Sequence, residues 1–155
     1  MIWALLAAHL VLCVILTAFG GALGRRGLLV AAAPPAITTV WATTRLGSGE
    51  PAVASLVWVE GLDLEFAFRV DALGALMALL VSGIGALVFV YAAGYFTDQA
   101  PGIGPFTTSL LAFSTAMLGL VWSDSVWSLF VFWELTSVTS FLLVGYKHVD
   151  PAVRA

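Results

Sequence analysis

Residues 127–146 read Trp127-Ser-Leu-Phe-Val-Phe-Trp-Glu-Leu-Thr-Ser-Val-Thr-Ser-Phe-Leu-Leu-Val-Gly-Tyr146, an apolar run with Glu134 in its middle. No other acid or base lies between Asp124 and Lys147. A run of about 20 apolar residues can cross the hydrocarbon core of a bilayer as a helix. A carboxylate at that depth is costly, so by default it faces protein or water and has a partner. The stretch therefore predicts a transmembrane helix and a site for proton or ion movement.

The composition of the whole chain is that of an integral membrane protein. Of the 155 residues, 61% are hydrophobic and 10% are charged, and the mean hydropathy is +1.06. A soluble domain carries about 25% charged residues. This chain has too few to cover a surface that faces water, so we expect the lipid bilayer to surround it. The basic residues form no patch, which argues against nucleic acid as a partner.

Five apolar segments predict transmembrane helices, and the expected fold is an all-α polytopic membrane protein. The segments are Ile2–Leu23, Gly27–Thr44, Ala72–Phe96, Phe106–Trp122 and Ser125–Tyr146. The second is short and carries Pro34-Pro35 in its centre. A proline removes a backbone donor and clashes with the preceding turn, so we expect a kink there.

The segment 45–70 predicts an extracytoplasmic loop that contains a small β-hairpin. Apolar side chains at 62, 64, 66 and 68 alternate with residues 63, 65, 67 and 69, and this period of two is typical of a half-buried strand. Glu60-Gly61 predicts the turn after Val57–Val59. The organisation is then two helices in 1–44, the hairpin loop in 45–70, and three helices in 71–155.

Asp71 and Asp124 are expected to cap the third and fifth helices, because an N-cap side chain accepts from free backbone N–H groups.

Loop charge predicts the orientation. If all five segments cross the membrane, one side receives Arg25, Arg26, Lys147 and Arg154, and the other receives Arg45 and Arg69. Cytoplasmic loops carry the excess of Lys and Arg. We therefore expect the N-terminus outside and the C-terminus in the cytoplasm.

Glu134 is the main candidate for chemistry. It follows Asp124 by ten residues, or about 15 Å of helix at 1.5 Å per residue, which is near the membrane midplane. Hydroxyls at Thr136, Ser137 and Ser140 are candidate supporting groups, and His148 is a candidate for proton entry.

His9 lies in the first apolar segment, where we expect an interfacial or core histidine that makes one hydrogen bond. The sequence has no metal-ligand cluster, phosphate loop or nucleophile–base pair, so no metal or cofactor is expected.

Three stretches resemble the A-type subunit of the multisubunit Mrp-type cation/proton antiporters, which are related to the antiporter-like subunits of respiratory complex I. They are Phe132-Trp-Glu-Leu-Thr-Ser-Val-Thr-Ser-Phe-Leu-Leu-Val-Gly-Tyr146, Phe68-Arg-Val-Asp-Ala-Leu-Gly74 and Met117-Leu-Gly-Leu-Val-Trp-Ser-Asp-Ser125. The resemblance covers roughly residues 55–148. Members of the family are much longer, so the chain is similar to their N-terminal part, and 71–155 would begin the antiporter core.

The resemblance implies a secondary transporter of the cell membrane that exchanges Na⁺ or another monovalent cation for H⁺, and not an enzyme. Glu134 matches the family's essential intramembrane glutamate, a proton-relay and ion-pair residue. The implied partners are other integral membrane subunits, and no organic cofactor is implied. Two alternatives remain open: a proton-pumping subunit of a complex I-like oxidoreductase, and a non-transporting structural or assembly subunit.

Overall fold

The computed structural model describes residues 1–59, 61, 64–97 and 100–145. The described residues form, in order, α1 (Ile2–Leu23), α2 (Arg25–Ala31), α3 (Ala33–Leu46), β1 (Ala52–Val59), β2 (Leu64–Val70), α4 (Ala72–Tyr95), α5 (Ile103–Trp122) and α6 (Val126–Val144). Five helices of this part of the chain, counting Arg25–Leu46 as one, are long and apolar enough to span a membrane. The predicted fold, a multi-pass helical membrane protein with a small hairpin, is confirmed.

The second span is interrupted beside the predicted kink. Helices α2 and α3 meet at Ala32, and Pro34 and Pro35 lie in the first turn of α3. The N–H groups of a first turn have no acceptor within their own helix, so proline is tolerated there. The Ala32 N–H donates to the Leu28 carbonyl and the Ala36 N–H donates to the Ala32 carbonyl, each at 3.0 Å. Ala32 therefore hydrogen-bonds to a residue of each helix, although Pro34 and Pro35 have no N–H to donate to the preceding turn.

The hairpin is antiparallel and packs against one end of the helices. Its register runs from Ala52 opposite Val70 to Val59 opposite Leu64. The predicted second strand is confirmed from Leu64 onward, and β1 begins earlier than the sequence suggested. The turn predicted at Glu60-Gly61 lies largely outside the described residues.

Two apolar clusters stack along the bundle axis. The hairpin-side core includes Phe68 and Val70 of β2 and the helix residues Ile2, Leu5, Leu6, Ala42, Ala75, Ala78, Leu118 and Trp122. The far core, near the α4–α5 connection, comprises Leu16, Leu28, Ala31, Ala32, Phe89, Ala92, Ala93, Ile103 and Leu111. Both clusters draw on α1, α4 and α5, together with the interrupted helix α2–α3. These helices therefore form one bundle, closed by the hairpin at one end.

Helices α1 and α5 approach each other through glycine. A Cβ atom added to Gly104 would lie 2.8 Å from the Gly21 nitrogen, and one added to Gly20 would lie 3.4 Å from the Gly104 Cα. Small residues allow helix backbones to pack closely in membranes, where dispersion contacts drive association. The contact fixes α5 against α1 at the end of the bundle away from the hairpin.

Gly104→Ala is expected to destabilise the bundle by about 1–3 kcal/mol, the usual cost of overpacking, because the neighbouring atom is backbone and cannot rotate away. Gly94→Ala is the matched control, since Gly94 is an exposed residue of α4 and an added Cβ would have nothing within 4 Å. Unfolding of both variants by SDS titration in detergent measures the difference. Equal unfolding midpoints would contradict the packing argument.

Candidate functional site

Helix α6 forms an edge of the bundle and carries Glu134. Of the α6 residues, all of which are described, only Ser128 and Thr139 are buried. Glu134 is exposed in a continuous stripe on the open face of the helix. The stripe, here called the Glu134 stripe, consists of Phe130, Glu134, Ser137, Val138 and Phe141, which share one face because they are spaced by three or four residues. Helix α5 packs against α6 elsewhere, so this stripe faces away from the bundle.

Glu134 lies at mid-depth and has no partner in the described part of the chain. It follows Val126 by eight residues, which is about 12 Å along a helix and near the middle of a hydrocarbon core of about 30 Å. No described residue makes a hydrogen bond or an ion pair with its side chain. The carboxylate is surrounded on its own helix by large apolar side chains.

The other predicted site residues are distributed around α6. Ser137 lies in the Glu134 stripe, while Thr136 and Ser140 are half-buried on other faces of the helix. The hydroxyls of Thr136 and Ser137 donate to the Trp133 carbonyl at 2.6 and 3.3 Å. The structure thus brings Ser137 within one turn of Glu134 on the same face. The hydroxyls of Thr136 and Ser137 are both directed to the α6 backbone. His148 lies outside the described residues.

A set of hydrogen bonds, here called the hairpin clamp, ties the start of α6 to strand β2. Ser125 is the N-cap of α6, and its Oγ accepts from the Ser128 N–H at 3.1 Å and donates to the Glu65 carbonyl at 2.9 Å. The buried Ser128 Oγ accepts from the Ala67 N–H at 3.0 Å and lies 2.8 Å from the Ser125 Oγ. Because the Ser125 proton is used on Glu65, Ser128 donates to Ser125. The clamp satisfies polar groups of both elements and sets the position of α6 along the bundle.

The prediction that Asp124 caps the last helix is wrong. Ser125, the residue directly before the first helical position, is the cap. Asp124 lies one position earlier, and its carboxylate forms a 3.0 Å ion pair with Arg69 of β2 instead. Both side chains are partly exposed, so the pair itself contributes about 0–1 kcal/mol. The corresponding prediction for Asp71 is confirmed, because its carboxylate accepts from the Gly74 N–H at 2.8 Å at the start of α4.

Aromatic packing at Phe132 supports α6 one helical turn after the hairpin clamp. A Cβ added to Gly119 of α5 would overlap the ring of Phe132, so α5 needs glycine at this position. The Phe132 ring also contacts Phe68 of β2 edge to face, with 5.7 Å between ring centroids. Neither this contact nor the clamp was predicted from the sequence. The Ser125–Ser128 spacing was the available signal, since two hydroxyls three residues apart are typical of a helix N-terminus.

Comparisons with known proteins agree with the resemblance read from the sequence. A protein-family profile described as "NADH-Ubiquinone oxidoreductase (complex I), chain 5 N-terminus" matches residues 57–107. The "Na(+)/H(+) antiporter subunit A1" of Staphylococcus aureus (strain bovine RF122 / ET3-1) is 44% identical over 99 residues, or 64% of this chain. The same protein of strain Newman has the same identity and coverage.

A solved structure covers more of the chain. A chain of the "Structure of Mrp complex from Dietzia sp. DQ12-45-1b" superposes with a TM-score of 0.79 and 30% identity over 92% of this chain. The chain spans 12% of the length of the Staphylococcus relatives and 16% of the Dietzia chain. These similarities confirm the resemblance to the N-terminal part of the A-type subunit of Mrp-type antiporters.

Ser128→Ala is expected to destabilise the protein by about 1–3 kcal/mol, because the buried Ala67 N–H loses its acceptor. Faster hydrogen exchange at the Ala67 amide would locate the loss in the hairpin clamp. Ser137→Ala on the same helix is the stability control. It removes an exposed hydroxyl and is expected to change stability by less than about 0.5 kcal/mol. Unchanged exchange at Ala67 in the Ser128 variant would show that the clamp does not hold the hairpin.

Proposed function

We propose that the chain contributes the N-terminal helices of the A-type subunit to a monovalent cation (Na⁺)/proton antiporter, with Glu134 as its intramembrane proton relay. The observation that carries this proposal is the exposed carboxylate of Glu134 at mid-depth, in a chain 44% identical over 99 residues to an Na⁺/H⁺ antiporter subunit. The role is that of a transporter subunit and not of an enzyme.

The argument for an additional membrane partner is energetic. A carboxylate in contact with lipid is costly, so a glutamate at this depth requires a protein or water environment. The described residues leave the Glu134 stripe uncovered, with aromatic and aliphatic side chains above and below the carboxylate. A helix from another segment or subunit that brings a cation to this face would satisfy the carboxylate and bury the apolar residues. Other integral membrane subunits are therefore the proposed partners.

A partner cation would also let Glu134 exchange protons. Desolvation favours the protonated carboxyl, and a nearby positive charge favours the carboxylate. Movement of that charge toward or away from α6 would therefore make Glu134 release or take up H⁺. Ser137, in the same stripe, is placed to hold water beside it. We assign Thr136 and Ser140 to contacts with neighbouring helices, and His148 to proton entry.

A proton-pumping subunit of a complex I-like oxidoreductase is the second candidate. The match of residues 57–107 to the N-terminal profile of complex I chain 5 favours it. The two proposals share Glu134 and differ in the energy source, which is a proton gradient in one and redox chemistry in the other. Copurification of redox subunits with the chain would favour the second.

Replacing Glu134 is the direct test. Glu134→Gln keeps the size of the side chain and removes its ionisation, so Na⁺-dependent proton release from energised everted vesicles is expected to fall to the level of vesicles that lack the assembly. The control is Glu50→Gln, which removes an exposed carboxylate from the loop before the hairpin and is expected to leave exchange intact.

Assembly must be measured in the same membranes. Recovery of the same copurifying subunits with Glu134→Gln as with the unmodified chain, together with lost exchange, supports the relay. Unchanged exchange would refute it. Loss of the assembled complex would point to the structural role that the sequence left open.

The proposed orientation places the hairpin outside the cell membrane and both the α1–α2 and α4–α5 connections in the cytoplasm, as expected from loop charge. With Cys13 replaced by alanine, a cysteine at exposed Ser55 of β1 is expected to react with a membrane-impermeant maleimide in intact cells. A cysteine at exposed Thr97, after α4, is expected to react only in everted vesicles. The reverse pattern would invert the topology.

A further inference from the structure

A layer of polar side chains separates the two apolar cores. The four members, here called the polar layer, are His9 of α1, Thr38 of α3, Ser82 of α4 and Ser114 of α5, with exposed fractions of 0%, 0%, 1% and 6%. Each lies four residues from a member of the hairpin-side core on its own helix, one turn further from the hairpin. The pairs are Leu5 with His9, Ala42 with Thr38, Ala78 with Ser82, and Leu118 with Ser114.

The far core lies directly beyond this layer. Leu16, Ala31 and Phe89 are each seven residues from the layer member on the same transmembrane span, and Leu111 is three residues from Ser114. Spacings of three, four and seven residues keep side chains on one helix face, so all four residues point into the bundle. The backbones are close here, because a Cβ added to Gly85 of α4 would lie 3.2 Å from the Ser114 Oγ. The polar layer therefore forms the centre of the bundle, at about 10–15 Å from the hairpin-side helix ends.

Every member of the polar layer has a buried polar atom that bonds to no described residue. These atoms are His9 Nε2, Thr38 Oγ1, Ser82 Oγ and Ser114 Oγ. Two other buried hydroxyls, both in α5, behave differently. Thr107 donates to the Ile103 carbonyl and Thr115 donates to the Leu111 carbonyl, each at 2.7 Å, as hydroxyls in transmembrane helices commonly do.

The hydrogen bond at Nδ1 of His9 determines whether Nε2 is a donor or an acceptor. Nδ1 lies 2.8 Å from the Leu5 carbonyl, which can only accept, so Nδ1 carries the proton. In the neutral imidazole Nε2 is then an acceptor that requires a donor. This bond also confirms the prediction of a buried histidine with a single hydrogen bond. The Nε2 atom is buried and bonds to no described residue.

We propose that the polar layer is an internal water-binding site. Water donates to His9 Nε2 and exchanges hydrogen bonds with the hydroxyls of Thr38, Ser82 and Ser114. A buried water makes about three hydrogen bonds and needs two to four polar partners, which is what these side chains offer. The site gives the His9 imidazole a partner for proton exchange inside the membrane. It lies within the bundle, whereas the Glu134 stripe faces outward, so the proposal does not depend on the antiport function.

Magnetisation transfer from water to His9 tests the proposal. The chain is labelled with ¹⁵N-histidine and reconstituted in bilayers with the unlabelled subunits that copurify with it. Solid-state NMR then detects transfer from water protons to the ring nitrogens. The sequence has two histidines, and a His148→Gln sample assigns the His9 signals. We expect transfer to His9 in the unmodified chain and its loss in the combined variant Thr38→Val, Ser82→Ala, Ser114→Ala.

Thr115→Val is the matched control. Thr115 is buried on α5 beside Ser114, but its hydroxyl is already satisfied by Leu111, so transfer to His9 is expected to persist. Absence of transfer in the unmodified chain would show a dry layer and overturn the proposal. Transfer that survives the combined variant would show that water reaches His9 by another route, and would also overturn it. If the combined variant does not fold, three single variants that all retain the full signal would have the same meaning.

Discussion

The free energy of an unpaired polar group in hydrocarbon is the constraint on which this structure depends. A membrane-spanning segment must pair its backbone N–H and C=O groups internally, which leaves helices as the solution for the apolar segments of this chain. At the interruption, the N–H and C=O groups of Ala32 are both paired, with Leu28 and Ala36. Among the described residues, strands appear only at the end of the bundle, where β1 and β2 pair with each other.

The same constraint explains how the hairpin and α6 depend on each other. Strand β2 has a backbone N–H at Ala67 that needs an acceptor, and the start of α6 has N–H groups that need a cap. Ser125 and Ser128 satisfy both, and the Arg69–Asp124 ion pair joins the same two elements at the surface. The hairpin therefore determines where α6 begins. The depth of Glu134 follows from that starting point, because a helix has a fixed rise per residue.

Glu134 and the polar layer both lie in helices that could span the membrane, and they differ in where they point. Glu134 faces outward from the edge of the bundle, so its partner must come from beyond the described residues. His9 faces inward with three hydroxyls at a similar depth. The first arrangement is typical of a surface that another helix covers. The second is complete within the bundle and needs only a small polar molecule.

Much of the fold could be predicted because membrane helices are specified by local composition. The bounds of α1 were predicted without error, the break in the second span was placed within two residues, and the alternation at 64–69 identified β2. The hydrogen-bond partners of individual polar side chains were harder to predict from the sequence. Asp124 and Ser125 are both suitable caps by residue type, and the choice between them depended on the contacts of both residues with strand β2, which is distant in sequence.

Hydropathy and helix rise were enough to predict five helices that could span a membrane and a carboxylate near the middle of the fifth. Only the tertiary structure decided which way the side chains face. Helix α6 is apolar almost all round, so its sequence does not specify the buried side. Packing of Phe132 against Gly119 and Phe68 fixes its rotation and turns Glu134 outward. The polar layer likewise depends on helix register, because its four members lie on four different helices and are buried at one level of the bundle only when those helices pack.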